Sequence, residues 1–173
     1  MTGEERREQI LQILLHAQNP LPGTELARRL SVSRQIIVQD IALLRAVNKN
    51  ILSTNKGYIF FQEQEARKKV QRAIQVAHSE EEIKEELYMI VDLGGHVLDV
   101  IVEHEIYGQI TCDLIICSRQ DVDTFVEQCR ERNAKGLSSL TGGVHYHTVE
   151  AKDRETLDRI EKALKEKGYL HIN

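Results

Sequence analysis

The 173-residue chain is 41% hydrophobic and 29% charged, the balance of an ordinary soluble protein of one large or two small domains, and no stretch approaches the roughly 18 apolar residues of a membrane-spanning helix. Its net charge of −4 is divided unevenly, with 8 Lys/Arg against 5 Asp/Glu in residues 1–61 (net +3) and 15 against 22 in residues 62–173 (net −7), so a nucleic acid would meet the N-terminal part. The three cysteines, Cys112, Cys117 and Cys129, are odd in number and form no C-x-x-C pair, which argues against a disulfide framework or a thiolate zinc site and leaves them as small buried hydrophobes; a charged Met1–Glu8 replaces any signal peptide, so a cytoplasmic protein is expected.

Glu5 to Ala17 is the first predicted helix, with Ile10, Ile13, Leu14 and Ala17 on one face, and Asn19-Pro20 ends it. Beyond Leu21-Pro22, Thr24 is expected to cap a short helix, Glu25 to Leu30, whose apolar face carries Leu26, Ala27 and Leu30. Ser31-Val32-Ser33 breaks that pattern. Ser33 then caps a helix from Arg34 to about Ala46, in which Ile37, Ile41 and Leu44 recur at i, i+4 and i+7 and form one buried stripe. The opposite face presents Arg34, Gln35, Val38 and Gln39, a set able to hydrogen-bond base edges and touch a thymine methyl. Ile51-Leu52-Ser53, a turn at Thr54-Asn55-Lys56-Gly57 and Tyr58 to Phe61 have the pattern of a hairpin, a wing with Lys56 at its tip.

Helix, helix, polar turn, serine-capped helix and glycine-turned hairpin together predict a winged helix-turn-helix DNA-binding domain over residues 1–61. Within it Arg34, Gln35, Val38 and Gln39 are expected to specify the operator and Arg28, Arg45 and Lys56 to meet phosphates, with Thr24 and Ser33, at the helix starts, as further DNA-binding residues. The run Leu26 to Gln35, with Asp40-Ile41 and Leu43-Leu44-Arg45, resembles the helix-turn-helix of prokaryotic repressors of the biotin-operon-repressor type. A domain of about 60 residues buries only about 60% of its unfolded surface, and an excess of +3 is modest, so a homodimer on double-stranded operator DNA is expected.

Gln62 to Lys69 is polar, without apolar periodicity, and marks the expected boundary to a second domain, 62–173. Val70 to Ala77 reads as helix or strand, with strand favoured near its end by the alternation at Ile74 and Val76. Ser79-Glu80-Glu81-Glu82 is a capping box for a helix carrying Ile83, Leu87, Ile90 and Val91 and stopping at Gly94-Gly95. Val97 to Val102 and Ile110 to Ile116 are β-patterned about a turn at His104 to Gly108. Asp121 to Arg132 is helical with Val122, Phe125, Val126 and Cys129 inward; Val144 to Val149 alternates as a strand; Asp153 to Lys167 is an amphipathic helix ending at Gly168, and Tyr169 to Ile172 adds an edge strand. The expected class is α+β, the winged head followed by a two-layer α/β domain with one helix-covered sheet.

His145 and His147, two apart in a predicted strand, leave the same face of the sheet and form a chelate that needs a third and fourth ligand to hold a divalent transition metal. The same pair is also consistent with two solvated or hydrogen-bonded imidazoles. Nothing in spacing forces His78 or Glu86 toward them, and Glu86 is equally placed to pair with a surface lysine on its own helix.

The second domain resembles the three-histidine (3H) regulatory domain in three places: His78 with Glu81 to Leu87, Asp99 to His104 with Tyr107-Gly108, and Gly142-Gly143-Val144-His145-Tyr146-His147-Thr148. Glu105 departs from the proline expected after the histidine of that pattern. With the helix-turn-helix in front, nearly the whole chain is similar to the niacin-responsive transcriptional repressors. That resemblance implies a site for a divalent transition metal, zinc or nickel, formed by His78, Glu86, His145 and His147. It also implies nicotinic acid as corepressor, with His104, Tyr107 or a nearby arginine for its carboxylate, and control of genes of NAD synthesis or niacin uptake. Two rivals are a repressor for which the ion is itself the effector, and a small metal-dependent hydrolase; the latter lacks a nucleophile elbow, phosphate loop or H-E-x-x-H pattern.

Overall fold

A computed structural model describes residues 1–47, 50–61 and 69–171. The chain divides into two compact units, Met1–Glu65 and Ala66–Asn173; the expected boundary at 62 falls outside the described residues.

In the first unit α1 spans Gly3–Leu15, α2 Gly23–Leu30, α3 Arg34–Val47, β1 Ile51–Thr54 and β2 Gly57–Phe60. The first helix begins earlier than its apolar pattern indicates, because Thr2 and Glu5 form a capping box ahead of it. Ile10 and Leu14 reach the core, packing with Leu26, Leu30, Ile37, Ile41, Leu44 and Ile51, while Ile13 is only half-buried at its margin. Thr24 does not cap α2: the helix starts at Gly23 on Pro22, which has no side-chain cap, so Thr24 lies exposed inside the first turn. Ser33 does act as expected, its Oγ accepting from the Ile36 N–H at 3.3 Å.

One buried charge ties this unit together. Asp40 in α3 is 2% exposed and is met from α1 by Arg6 Nε at 2.5 Å and Arg7 Nη1 at 3.4 Å. A carboxylate so enclosed persists only with cationic donors at hand. The wing also gains a third strand segment, because Leu21 and Tyr58 exchange N–H···O bonds of 2.8 Å in both directions. This close approach explains Gly57: its φ is +133°, and a Cβ there would lie inside contact distance of the Leu21 carbonyl.

In the second unit β3 spans Val70–Ala77, α4 Ile83–Asp92, β4 His96–His104, β5 Gly108–Ile116, α5 Arg119–Glu131, β6 Val144–Ala151 and α6 Arg154–Lys167. Val70–Ala77 is strand over its whole length. The four strands lie in the order β3-β6-β4-β5, each neighbouring pair antiparallel. This puts β6, with its two histidines, in the interior of the sheet. Ile74, Val76, Val97, Leu114, Ile116, Val149 and Ala151 from the strands pack on Leu87 and Ile90 of α4, Val122 of α5 and Leu157, Ile160 and Leu164 of α6. After Gly168, Tyr169 to His171 adds to the outer edge of β3, with a bridge between Val76 and Leu170; Ile172 is outside the described residues. The cysteines are not buried as expected. Cys112 and Cys117 are exposed and Cys129 is half-buried; Cys112 lies in the exposed first part of edge strand β5 and Cys117 just beyond its end.

Gly57 and Gly108 separate two uses of glycine, because at Gly108, φ +72°, no atom lies within 4 Å of an added Cβ. Gly57→Ala is expected to destabilise the first unit by at least about 2 kcal/mol, and Gly108→Asn the second by less than about 1 kcal/mol. Thermal unfolding of the full chain is the measurement; equal shifts would contradict the close approach at Leu21.

Candidate metal centre and nucleic-acid face

The four residues named from the 3H pattern converge. His145 and His147, two apart in β6, both turn to the helix-covered face and are 3% exposed; Glu86, in α4 packed over that face, is 1% exposed. His78 enters from just past the end of β3, whose register pairs Val76 with His145. Its Nε2 lies 2.9 Å from Glu86 Oε2. His145 Nε2 is 3.9 Å from the same oxygen, and His147 Nε2 is 3.4 Å from Glu86 Oε1. The Nε2 atoms of His145 and His147 are 3.2 Å apart. His78, Glu86 and His145 offer ligand atoms all within 4.8 Å of one another, and His147 adjoins them. Among the described residues no lysine pairs with Glu86, the alternative open from sequence.

The remaining ring nitrogens determine what these contacts mean. His78 Nδ1 lies 2.8 Å from the Ser79 carbonyl, His145 Nδ1 2.8 Å from the Gly143 carbonyl and His147 Nδ1 2.6 Å from the Asp99 carbonyl. A carbonyl oxygen only accepts, so each Nδ1 carries the proton and each neutral ring points an Nε2 lone pair inward. With all three rings neutral, three lone pairs and a carboxylate face one another with no donor among them. Glu86 Oε1 has no hydrogen-bond partner among the described residues. Such a set is stable only around a positive charge, either protons or a metal ion. For ligand–metal bonds of about 2.0–2.2 Å, neighbouring ligand atoms are about 3–3.5 Å apart; the contacts of 3.2 and 3.4 Å lie in that range, His78–Glu86 at 2.9 Å just below it and His145–Glu86 at 3.9 Å above it. The donor set therefore fits a borderline transition metal, with backbone carbonyls as the outer support that orients each imidazole.

With no ion present, protons are the positive charge that this cluster draws in, and a ring that takes one donates from Nε2. Burial disfavours a charged Glu86, yet the His147 charge and hydrogen bonds from the imidazoles outweigh it and hold its pKa well below the usual carboxylate range. For His78 and His147, burial likewise opposes protonation, and Glu86 overcomes it and raises both. Gly143, φ +95°, is required by the same packing: a Cβ would strike the His78 carbonyl oxygen.

Beside the cluster is a small cavity of about 30 Å³, walled by Glu86, His145 and His147 and by Leu87, Val100, Leu114, Phe125 and Ser138. It adjoins a wider cleft of about 370 Å³ that shares Ile83, Phe125 and Gly136 and carries Lys84, Arg130 and Lys135 as well as Glu80 and Glu81. His104 and Tyr107 line neither space. They sit at the β4–β5 hairpin tip, where His104 Nδ1 accepts from the Ile106 and Tyr107 N–H groups at 3.2 and 3.3 Å and Tyr107 is 77% exposed. The backbone partners Ser79, Asp99 and Gly143, and the cavity residue Ser138, were missed from sequence, since a carbonyl carries no residue-type signal.

On the first unit Arg34, Gln35, Val38 and Gln39 all lie exposed on α3, opposite Ile37, Ile41 and Leu44. Arg45 is exposed near the end of the same helix, and Lys56 is in the two-residue turn between β1 and β2. Arg28 is exposed but engaged: with Arg29 it grips Glu25 at 2.8 Å, and the Arg28 and Arg29 hydrogen bonds hold that carboxylate down to about 2.

A tri-helical head with an exposed polar recognition face and a wing, followed by a sheet domain that encloses a histidine–carboxylate cluster, defines the class of regulators that bind DNA. A 3H-domain profile matches residues 71–173 and a helix-turn-helix profile residues 6–59. The chain is 45% identical over 167 residues to "Probable transcription repressor NiaR" of Thermotoga maritima, spanning 96% of this chain and 94% of that protein. It is 41% identical over 171 residues to "Transcription repressor NadR" of Bacillus subtilis, spanning 98% and 95%. The chain belongs to this family of 3H-domain transcription repressors, DNA-binding regulators and not enzymes.

The tautomers are open to direct measurement. Long-range proton–nitrogen correlation spectra are expected to show the Nδ1–H form at His78, His145 and His147 wherever the ring is neutral; a majority Nε2–H form at His145 or His147 would remove the convergent lone pairs.

Proposed function

We propose that this repressor responds to nicotinic acid as corepressor, through a divalent metal held by His78, Glu86, His145 and His147, and controls genes of NAD synthesis or niacin uptake as a homodimer on operator DNA. The observation that carries the reading is the buried convergence of three imidazole Nε2 atoms on Glu86, whose Oε1 has no hydrogen-bond partner among the described residues. When bound, the ion supplies positive charge and an acceptor position for a nitrogen or carboxylate of an effector. The chain's own residues do the rest. Glu86 and the histidines orient that position toward the adjoining cavity, and Leu87, Val100, Leu114 and Phe125 offer an apolar wall to a flat ring. Arg130, in the adjoining cleft and in no ion pair among the described residues, is better situated than His104 or Tyr107 to meet a carboxylate.

A ligand that prefers the DNA-competent arrangement of two heads raises operator affinity by the difference in its two affinities. A coupling of about 1–3 kcal/mol changes that affinity roughly 5- to 150-fold, enough for a switch. Calorimetry of the zinc- or nickel-loaded protein should show nicotinate binding and nicotinamide binding less well, and Glu86→Gln should weaken both metal uptake and nicotinate-dependent operator retention. Equal or absent binding of the two would exclude nicotinate as the effector. Operator binding that toggles on metal addition and chelation alone would make the ion the effector instead.

On the DNA side, Arg34, Gln35, Val38 and Gln39 are the specifying set and Arg28, Arg45 and Lys56 the phosphate-facing one, with Arg28 exchanging Glu25 for a phosphate. Arg34→Ala is expected to cost about 1–3 kcal/mol and relax specificity at one base position, whereas Lys56→Ala should weaken all sequences alike and lower the salt slope by about one. Identical behaviour of the two across operator variants would reverse the orientation of α3.

A further inference from the structure

Of the four cluster residues, His78 alone belongs to no helix or strand: Glu86 is in α4 and His145 and His147 are in β6, whereas His78 follows the last residue of β3. Its side chain is nonetheless only 1% exposed. Two rings cover it. His145 stands edge-on at 4.9 Å between centroids, and Tyr169 lies 5.3 Å away, tilted by 58°.

Tyr169 is itself buried and held from three directions. Its N–H donates to the Leu164 carbonyl at 2.9 Å, and its carbonyl accepts from the Ala77 N–H at 2.8 Å. Its phenol donates to Glu85 Oε2 at 2.7 Å, while Lys167 Nζ holds Glu85 Oε1 at 2.6 Å. Ala77 is the residue before His78, and Glu85 the residue before Glu86. The segment after α6 thus forms a brace from the chain neighbour of one cluster residue to that of another.

We propose that Tyr169 is a positioning residue of the metal centre: by lying over the His78 ring and linking Ala77 to Glu85, it holds the one cluster histidine outside regular structure at the distance from Glu86 that an ion requires. This rests on the metal reading above. The physical need is entropic. A histidine in a loop loses side-chain and backbone freedom when it ligates, and a preformed cover removes that loss beforehand. A tyrosine serving only the core would affect stability and leave ligation alone.

Cobalt(II) titration of the full chain, freed of metal by chelation, separates these roles, because visible absorption reports the ligand set as well as the affinity. Tyr169→Ala is expected to lower cobalt affinity about 10- to 100-fold, the usual effect of outer-shell partners, and to alter the absorption bands. Tyr169→Phe, which keeps the ring, and Glu85→Ala, which frees the phenol, should each cost a smaller but measurable amount, about 3- to 10-fold, with the wild-type band shape retained in the Phe variant. Ile160→Val trims the same core away from His78 and should match wild type in affinity and spectrum. Wild-type affinity and bands in Tyr169→Ala, or an equal loss in Ile160→Val, would overturn the role of Tyr169 while leaving the metal site standing. If Tyr169→Ala does not fold, wild-type behaviour of both Tyr169→Phe and Glu85→Ala would overturn it. A wild-type chain that takes up no cobalt would remove the metal site, and the proposal with it.

Discussion

A carboxylate enclosed with three imidazoles, each turning a lone pair toward it, demands positive charge in a place water cannot supply it. Glu86 sits in that position, and the second unit is arranged around the demand. Strand β6 lies in the interior of the sheet, so two histidines two residues apart face the helix layer together. Helix α4 crosses that layer and brings Glu86 over them, its approach set by Leu87 and Ile90 in the core. The Ser79, Gly143 and Asp99 carbonyls take the three Nδ1 protons, which turns geometry into electronic readiness. A hydrophobic substitute for Glu86 would satisfy packing without the cost of burying an anion beside three imidazoles.

The first unit handles charge in the opposite way, by pairing it internally. Asp40 takes Arg6 and Arg7, and Glu25 takes Arg28 and Arg29, so at least four cationic residues of this unit face acidic residues of the same unit. What remains toward solvent on α3 is a short, mainly hydrogen-bonding surface around Arg34 and Gln39. A surface of this kind is better supplied with groups for base edges than with charge for phosphates. The exposed Arg28–Glu25 grip is held in high dielectric and is weak enough to exchange for a phosphate.

Much of this was legible in residue patterns, and the exceptions have physical reasons. Period and capping gave the helices because Ile37, Ile41 and Leu44, or Leu157, Ile160 and Leu164, recur along one face. Val70–Ala77 read ambiguously because a strand with one face toward helix α6 and the other outward mixes Arg72 and Gln75 among its apolar residues. Thr24 was misjudged as a cap because Pro22, which pre-sets the helical entry, starts α2 without side-chain help. The cysteines were misjudged because residue type foretells burial only where a layer covers the position, and nothing in composition says that β5 is the sheet edge.

His145-x-His147 by itself determined a shared face, since strand side chains alternate and no tertiary contact can change that parity. The capping boxes, the serine before α3 and the glycine-turned wing were equally local, each closed by bonds within a few residues. Only the tertiary structure decided that His78 and Glu86 join that face, that Asp40 is buried beneath two arginines, and that His104 and Tyr107 stay at a hairpin tip away from the cluster. Those outcomes depend on which strand becomes central and which helix crosses it, choices made by the summed burial of two cores and carried by no single spacing along the chain.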